Sequence, residues 1–489
     1  MTRVAIRSRP GRCALRIVAV DEPGREPTPG GGPISVARTS VDPRPLPVLS
    51  LRASLRTLGR LSRDPLGTIA ACHRAHGDVV ALRVPGWVPR LPPLLVLVAT
   101  PGGARDVLTD TTTFTKGSPV YDEMADSLGD GLLTSDGERW RGQRRTLQPL
   151  FTRHAIDDYT DAFLAATEAV AAGWHDHARV DLADEMEKIT LGSVSRALFG
   201  TDVTDEVAPI VAATDWISAE VVRRGQSLWA PPRAWPTPRN RRLARLEEEL
   251  RARTARIVAT AEATDEDRDD LVARLHAATD PETGQRLQPR QVLEQALVFL
   301  LAGYDTTSTA LATTLHLLGA HRDVQAAVRD EVAAVLGQRP PTAADVDALE
   351  LTRRVLLEGM RLYPPAYMTS RTAARDTVVD GCAVPAGAVA ITPFAVLHRH
   401  PDHWPDPGRF DPGRFRPEVA EQRDRYAYLP FGGGPRSCIG ERFAMLEATL
   451  ALAVLLRRFE VTTDGRPLPM RYGITQRAAT TLDATLRGV

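Results

Sequence analysis

Phe431-Gly432-Gly433-Gly434-Pro435-Arg436-Ser437-Cys438-Ile439-Gly440 decides the reading of this chain of 489 residues. Cys438 stands behind a glycine-rich bend and ahead of a helix-like run, Glu441 to Phe459. A sulfur placed there has room on the bend side and backbone N–H donors from the opening helical turn. Those donors and the helix dipole stabilise a thiolate, and the glycines let a flat macrocycle come close. The pattern predicts a charged sulfur bound to iron.

Upstream, Ala302-Gly303-Tyr304-Asp305-Thr306-Thr307 lies inside a long apolar stretch that reads as one helix, Pro289–Leu318. Glycine beside two threonines weakens the helical ladder, because hydroxyls compete for carbonyls and glycine permits a bulge. A widened turn that could hold water and a small ligand such as dioxygen is expected there. Asp305 and Thr306 supply a carboxylate that relays protons and a hydroxyl that positions them. Between these motifs, Glu358-Gly359-Met360-Arg361 sets opposite charges three residues apart on one helix face, flanked by Val355, Leu356, Leu357 and Leu362. The apolar flanks predict a pair that is at least partly buried.

The decapeptide resembles the haem-binding signature of the cytochrome P450 superfamily, with Phe431, Gly434, Arg436, Cys438 and Gly440 in that family's places. Ala302–Thr307 is similar to its oxygen-binding motif, Thr306 matching the hydrogen-bonding threonine and Asp305 its acidic neighbour. Glu358 and Arg361 match its Glu-x-x-Arg pair, and Pro412-Gly413-Arg414-Phe415 supplies the third partner, Arg414. Gly413 stands where glutamate is common, which leaves Arg414 in place. These three charges are then a structural clasp beneath the cysteine loop. Trp140-x-x-x-Arg144 resembles the family's aromatic–arginine pair, and Arg371 falls where many members place another propionate partner. His398 is a further residue that could approach this region.

The resemblance spans about residues 50 to 489 and implies the following. The fold is mainly α with a small β-rich portion (α+β): the cytochrome P450 fold, a single large helical domain over residues 46–489. Haem b, iron protoporphyrin IX, sits between the long central helix and the cysteine-loop helix, with Cys438 as axial metal ligand. Trp140, Arg144, Ala302, Gly303, Arg371, Phe431, Arg436 and Gly440 surround the cofactor. The reaction is monooxygenation of a hydrophobic small molecule, terpenoid or fatty-acid-like, with O2 activated opposite Cys438 and protons delivered through Thr306 and Asp305. Its pocket draws on the segment from Phe114 to Leu132, on Phe299 and Ala302, on Ala366–Ser370 and on Gly473–Thr475. A peroxide-driven peroxygenase and a non-catalytic haem-binding module are the rival readings; relatives of the first usually lack the acid–alcohol pair, and the second has no need of Thr306.

No nucleotide-binding G-x-G-x-x-G follows a strand, so electrons are expected from an external ferredoxin or flavodoxin-type partner with its reductase. Arg139, Arg141 and Arg145 offer either its docking face or a plain solvated surface. Basic and acidic residues balance at 61 each, which gives no case for nucleic acid or an anionic membrane as a global partner. The four cysteines show neither metal spacing nor a disulfide framework. No run of about 18 to 20 apolar residues exists to span a bilayer. A monomeric, cytoplasmic enzyme of soluble bacterial type is expected.

Residues 1–45 are rich in Arg, Pro and Gly and read as a disordered or artificial extension. Beyond them the pattern predicts a helix over Asp64–His76, a hairpin from Val79–Val84 and Leu94–Ala99, and helices over Gly137–Leu150, Asp157–His175, Asp181–Leu198, Arg241–Thr264, Val324–Leu336 and Arg353–Leu362. Strands are expected at Thr377–Val379 and Val389–Pro393. Trp216 to Pro238 is the least regular interior stretch, a lid over a pocket or a surface loop.

Overall fold

The central helix is buried on almost every side, as an apolar sequence without a polar stripe requires. The computed structural model in which it is seen describes residues 43–489 apart from residues 62, 87–90, 201–203, 228 and 265–268, with side chains also left out at 204–208 and 260–264. The helices that position the site are α1 (Leu51–Leu61), α2 (Pro101–Thr109), α3 (Pro119–Leu128), α4 (Gly137–Leu147), α5 (Leu182–Phe199), α6 (Thr204–Gln226), the central α7 (Pro289–Ala320), α8 (Glu350–Leu362) and α9 (Glu441–Arg458). Helix α7 starts where Pro289 takes the first helical position and Gln288 and Gln291 cap each other; the Gln288 N–H donates to Gln291 Oε1 over 2.8 Å. Leu300, Leu301 and Tyr304 then pack with Leu191 and Val194 of α5 and with Leu446 and Leu450 of α9.

A five-stranded sheet flanks this helical body. Its strands are β1 (Val79–Arg83), β2 (Leu94–Val98), β3 (Phe114–Thr115), β4 (Thr369–Ala373) and β5 (Val389–Thr392), in spatial order β1-β2-β5-β4-β3. Only β2 and β5 run parallel. In β4, Arg371 lies opposite Ala390 of β5. A short hairpin, β6 (Met470–Tyr472) with β7 (Gln476–Ala478), turns at Gly473–Thr475 near the C-terminus.

The fold is the expected mainly α architecture with small sheets. Most helices lie within a few residues of expectation, because caps and turn glycines delimit them: Asp64 caps Pro65–His76 and Gly77 ends it at φ 96°. Three differences carry information. Residues 216–226 of the stretch read as irregular are the second half of α6. Helix α1 emerges from LRASLRTLGRL, whose arginines mask its periodicity. And α7 runs as unbroken α-helix through residues 302–307, without the widened turn. The Thr306 hydroxyl donates to its own helix, to the Ala302 carbonyl over 2.8 Å, which satisfies it without opening the ladder.

Residues 1–42 of the expected extension lie outside the described residues. Arg44 is already tied into the fold: its N–H donates to the Gly381 carbonyl over 2.8 Å and its carbonyl accepts from Ala383 over 3.0 Å. Among the described residues, no helix is long and apolar enough to cross a membrane.

The clasp is fully buried. Arg361 grips Glu358 with two parallel bonds, Nε to Oε2 at 2.7 Å and Nη2 to Oε1 at 2.8 Å, and both side chains are 0% exposed. The remaining Arg361 donors go to the carbonyls of His398 (3.0 Å), Pro407 (2.8 Å) and Arg409 (3.0 Å). Arg414 is the looser partner, its Nε 3.5 Å from Glu358 Oε1. The clasp reaches the cysteine loop through His398. That imidazole accepts the Leu429 N–H at Nε2 over 2.8 Å, so its proton resides on Nδ1. Burial holds its pKa well below the ordinary histidine value, which keeps Nε2 free to accept. Arg361→Leu leaves Glu358 as a buried, uncompensated carboxyl, and a loss of about 3–5 kcal/mol is expected. Denaturant unfolding of the purified variant measures it; a midpoint equal to wild type would refute the clasp.

Candidate active site

The cysteine loop is a tight bend closed by one backbone bond, Cys438 N–H to the Phe431 carbonyl at 2.8 Å. Two of its glycines, Gly432 at φ 72° and Gly434 at φ 70°, occupy the left-handed region that residues with a Cβ resist. At Gly434 space forbids a side chain as well, because a Cβ would overlap the Leu108 carbonyl at the end of α2. The loop thereby presents Cys438 on the wall of a large cavity, with its side chain exposed into that space.

Enclosure by the cavity walls pushes the Cys438 thiol up to about 11. The Gly440 N–H bond and, more weakly, Arg144 work against that shift, while Glu441 adds to it. A thiol so disfavoured as a bare anion becomes a thiolate when a metal cation takes its charge. The side chain therefore fits an iron ligand better than a free nucleophile.

Cations gather on the same wall. Lys116, Arg371 and Arg436 all line the cavity with buried side chains, and Lys116 and Arg436 both bond to one acid, Asp136. The Lys116 N–H donates to Asp136 Oδ2 over 2.7 Å, and its ammonium donates to the Leu133 carbonyl. Arg436 donates to Asp136 and to the Ser135 carbonyl, the latter over 3.0 Å. Arg371 Nη1 donates to the Ser370 carbonyl (2.7 Å) and to Thr369 Oγ1 (2.8 Å). Burial, and then repulsion from Arg371 and Arg436, drives the Lys116 pKa well below its ordinary value. Burial also lowers Arg436 to about 10. Three buried cations against one carboxylate leave a surplus that a group with two carboxylates balances. The two propionates of haem would meet that demand, and its iron would take the charge of the neighbouring thiol.

Trp140 and Arg144 serve this site from behind, and neither lines the cavity. Trp140 is buried under Arg436, whose guanidinium carbon lies 4.1 Å from the ring centroid. Arg144 Nη1 donates to the Ser437 carbonyl over 2.9 Å and so supports the loop backbone. Phe431, Gly440, Ala302 and Gly303 do line the cavity. Gly303 also lets two helices approach, since a Cβ there would press on Val194 of α5 at 2.9 Å. His398 is wholly buried behind the loop. Lys116 escaped the reading of the sequence, since a lysine in Phe114-Thr-Lys-Gly-Ser carries no signal until the sheet brings β3 beside β4.

Thr306 and Asp305 line the cavity from α7. Asp305 is held from the C-terminal hairpin, accepting from Thr475 Oγ1 over 2.5 Å at one oxygen and from Arg477 at the other. Arg477 also pairs with Glu187 of α5 (2.6 Å) and Asp215 of α6 (2.9 Å). Burial raises the Asp305 pKa, with Arg477 and Thr475 opposing it. Burial also raises Glu187, to about 7.

Comparison with known proteins agrees with this geometry. The Cytochrome P450 family model matches residues 43–479, and the chain belongs to that family. It is 36% identical over 445 residues to cyclooctat-9-en-7-ol 5-monooxygenase of Streptomyces melanosporofaciens, covering 90% of this chain and 94% of that protein. It is 37% identical to cyclooctatin synthase of the same organism, over 84% of this chain and 87% of that protein. Pentalenene oxygenase of Streptomyces avermitilis is 34% identical, with 83% and 88% covered. Among solved structures, the haem domain of cytochrome P450DA superposes with a TM-score of 0.81 at 28% identity, over 91% of this chain and 98% of that one. The protein is thus a P450 monooxygenase, an oxidoreductase whose family uses haem held by a cysteine thiolate.

Lys116→Gln is expected to speed haem loss to a haem-scavenging protein by about tenfold, the worth of one charge-assisted hydrogen bond, with the circular dichroism spectrum unchanged. In Cys438→Ser, the reduced carbon monoxide complex should lose the red-shifted Soret band of thiolate ligation. An unaltered band would mean that the sulfur is not the ligand.

Proposed function

We propose that the protein hydroxylates a cyclic terpenoid, taking electrons singly from a separate ferredoxin or flavodoxin-type protein. The observation that carries this reading is the shape and chemistry of one cavity, of about 830 Å³, that runs from Cys438 past Thr306. Away from the cysteine loop its walls are largely apolar: Phe151, Val222, Val298, Phe299 and Ile474. Phe151 and Phe299 meet edge to face, 5.2 Å between centroids, and form a rigid surface that suits a bulky hydrocarbon skeleton. Tyr121, Thr214 and Ser218 are among the polar groups of its lining, enough to orient one hydroxyl of a substrate. The relatives named above act, by their names, on pentalenene and on cyclooctat-9-en-7-ol, which supports a terpenoid over a linear fatty acid.

The cofactor would be haem b, with Cys438 as the iron ligand and Lys116, Arg371 and Arg436 as the propionate partners; bound there, it supplies oxygen activation. The chain's own residues supply position and protons. Gly434 and the Phe431 carbonyl hold the sulfur in place. The apolar walls exclude bulk water, so protons enter only where polar groups lead them. The Thr306 hydroxyl, anchored on the Ala302 carbonyl, keeps its lone pairs towards the cavity and passes a proton at Oγ1. Asp305 replenishes it from the far side, through the carboxyl oxygen now shared with Thr475. For that transfer the Thr475 contact must release the oxygen, which makes the hairpin tip part of the relay. The acid–alcohol pair also favours O2 over peroxide as the oxidant.

Two measurements test the reading. Polycyclic terpene alcohols should shift the haem spectrum by displacing the iron-bound water and should yield hydroxylated products by mass spectrometry, while linear fatty acids do neither; the reverse pattern would refute the terpenoid assignment. Thr306→Ala should bind substrate with the same spectral shift yet lose product formed per electron consumed by about 100-fold, the scale of a lost proton donor. Unchanged coupling would remove Thr306 from the relay.

A further inference from the structure

Three side chains that can ligate a metal converge at a place that does not line the cavity. His73 sits on the last turn of the helix Pro65–His76, Asp78 precedes β1, and His400 follows the short helix Phe394–Leu397. Gly77, at φ 96°, ends the first helix and turns Asp78 back beside His73. Packing supplies the third member, since Ile69 and Cys72 of that helix share one apolar cluster with Val80 of β1 and Val396 of the short helix. The rings of His73 and His400 then stand 4.8 Å apart between centroids.

Asp78 Oδ1 lies 3.0 Å from His73 Nδ1 and 3.5 Å from His400 Nε2, and the three ligand atoms all fall within 4.8 Å of one another. Neither contact is a good hydrogen bond. His73 Nδ1 is buried and, although close to the carboxylate, has no hydrogen-bond partner in line with it. The His400 contact is longer than the roughly 3.2 Å of a sound N–H···O bond. Buried polar atoms that crowd together without bonding well call for something set between them.

Two imidazole nitrogens and one carboxylate oxygen form the donor set of a zinc site that keeps one position for water. Ligands at roughly 2.0–2.1 Å in a tetrahedron stand about 3.4 Å from each other. The separations of 3.0 and 3.5 Å bracket that spacing, and the third needs the rings to draw together by about 1.4 Å or less. Magnesium and calcium demand more oxygens than the group offers. The Asp78 side chain is 44% exposed, which gives the ion its entry and its water, while His73 and His400 are 12% and 6% exposed. One adjustment accompanies binding. His400 Nδ1 accepts the Asp402 N–H over 3.1 Å, so its proton stands on Nε2 and faces Asp78. Zinc at Nε2 sends that proton to Nδ1 and turns the amide of Asp402, an exposed residue, towards water.

We propose that His73, Asp78 and His400 hold a zinc ion with water as the fourth ligand, and that the ion pins the helix Pro65–His76 to the segment from His398 to Arg409. That segment carries the carbonyls gripped by Arg361, and His398 within it accepts the Leu429 N–H ahead of the cysteine loop. The ion would therefore be a structural staple behind the loop, outside the reaction. Nothing in this site depends on which molecule the cavity takes.

The test uses the full-length haem-loaded protein, stripped with EDTA and then dialysed to equilibrium against zinc chloride. One zinc per chain is expected, and X-ray absorption at the zinc edge should show two imidazoles and oxygen neighbours at roughly 2.0–2.1 Å. Zinc should raise the thermal midpoint of the wild type, and magnesium at the same concentration should not. His73→Asn, His400→Asn and Asp78→Asn should each weaken zinc binding by about 100-fold or more, exceeding the loss of an outer-shell partner, and should cancel the thermal shift. His76→Asn, at an exposed position of the same helix outside the group, should bind as wild type does. If the variant at the buried His400 fails to fold, Asp78→Asn and the wild-type absorption edge decide. Absence of zinc, a first shell without two imidazoles, or binding that survives these variants and is lost in His76→Asn would overturn the proposal.

Discussion

A charged sulfur on the wall of an apolar cavity is costly, and the surroundings of Cys438 are organised around that cost. Left to itself the thiol resists ionisation, because the enclosing protein removes water from the anion. The Gly440 amide and Arg144 lower the cost without cancelling it, so the sulfur is suited to a metal cation that takes the charge. On the same wall the imbalance runs the other way, since Lys116 crowds against Arg371 and Arg436, and Asp136 is the acid that Lys116 and Arg436 share. One cofactor with a metal centre and two acidic arms would resolve both strains.

Those strains have to be held by something stiff, and the stiffness is built from backbone. Arg361 spends its guanidinium on Glu358 and on three carbonyls of the segment from His398 to Arg409. His398 in turn receives the Leu429 N–H, two residues before the bend begins. A buried ion pair of this sort is a poor source of stability in itself. Here it sets the position of a loop whose other devices, Gly434 against Leu108 and Cys438 against Phe431, act over only a few ångström.

The opposite wall is tied to the C-terminal hairpin. Asp305 and Thr306 are adjacent in sequence but face different partners: the threonine bonds back to its own helix, while the carboxylate is gripped by Thr475 and Arg477 from a hairpin more than 160 residues further on. Arg477 also reaches α5 and α6. The cavity-lining helix α6 and the acid beside the reaction centre are thus joined by one arginine.

How much of this was legible depended on the range of the interaction. The cysteine loop, the Glu358–Arg361 pair and most helix ends are written in local terms: glycine at positive φ, charges three residues apart, caps. Helix α7 was legible in extent but not in detail, since competition between the Thr306 hydroxyl and the ladder was settled by one bond to Ala302. Lys116, Arg477 and the group of His73, Asp78 and His400 were not legible. A lysine in a short strand, an arginine in a tail and histidines far apart in the chain look ordinary until strand pairing and helix packing give them their neighbours. By itself the chain determined the glycine bend that carries Cys438, the helical class and the adjacency of Asp305 and Thr306, because each depends on residues within one turn or bend of one another. Tertiary structure alone decided which cations converge and which acid is latched, because burial and charge balance belong to neighbours that only folding assembles.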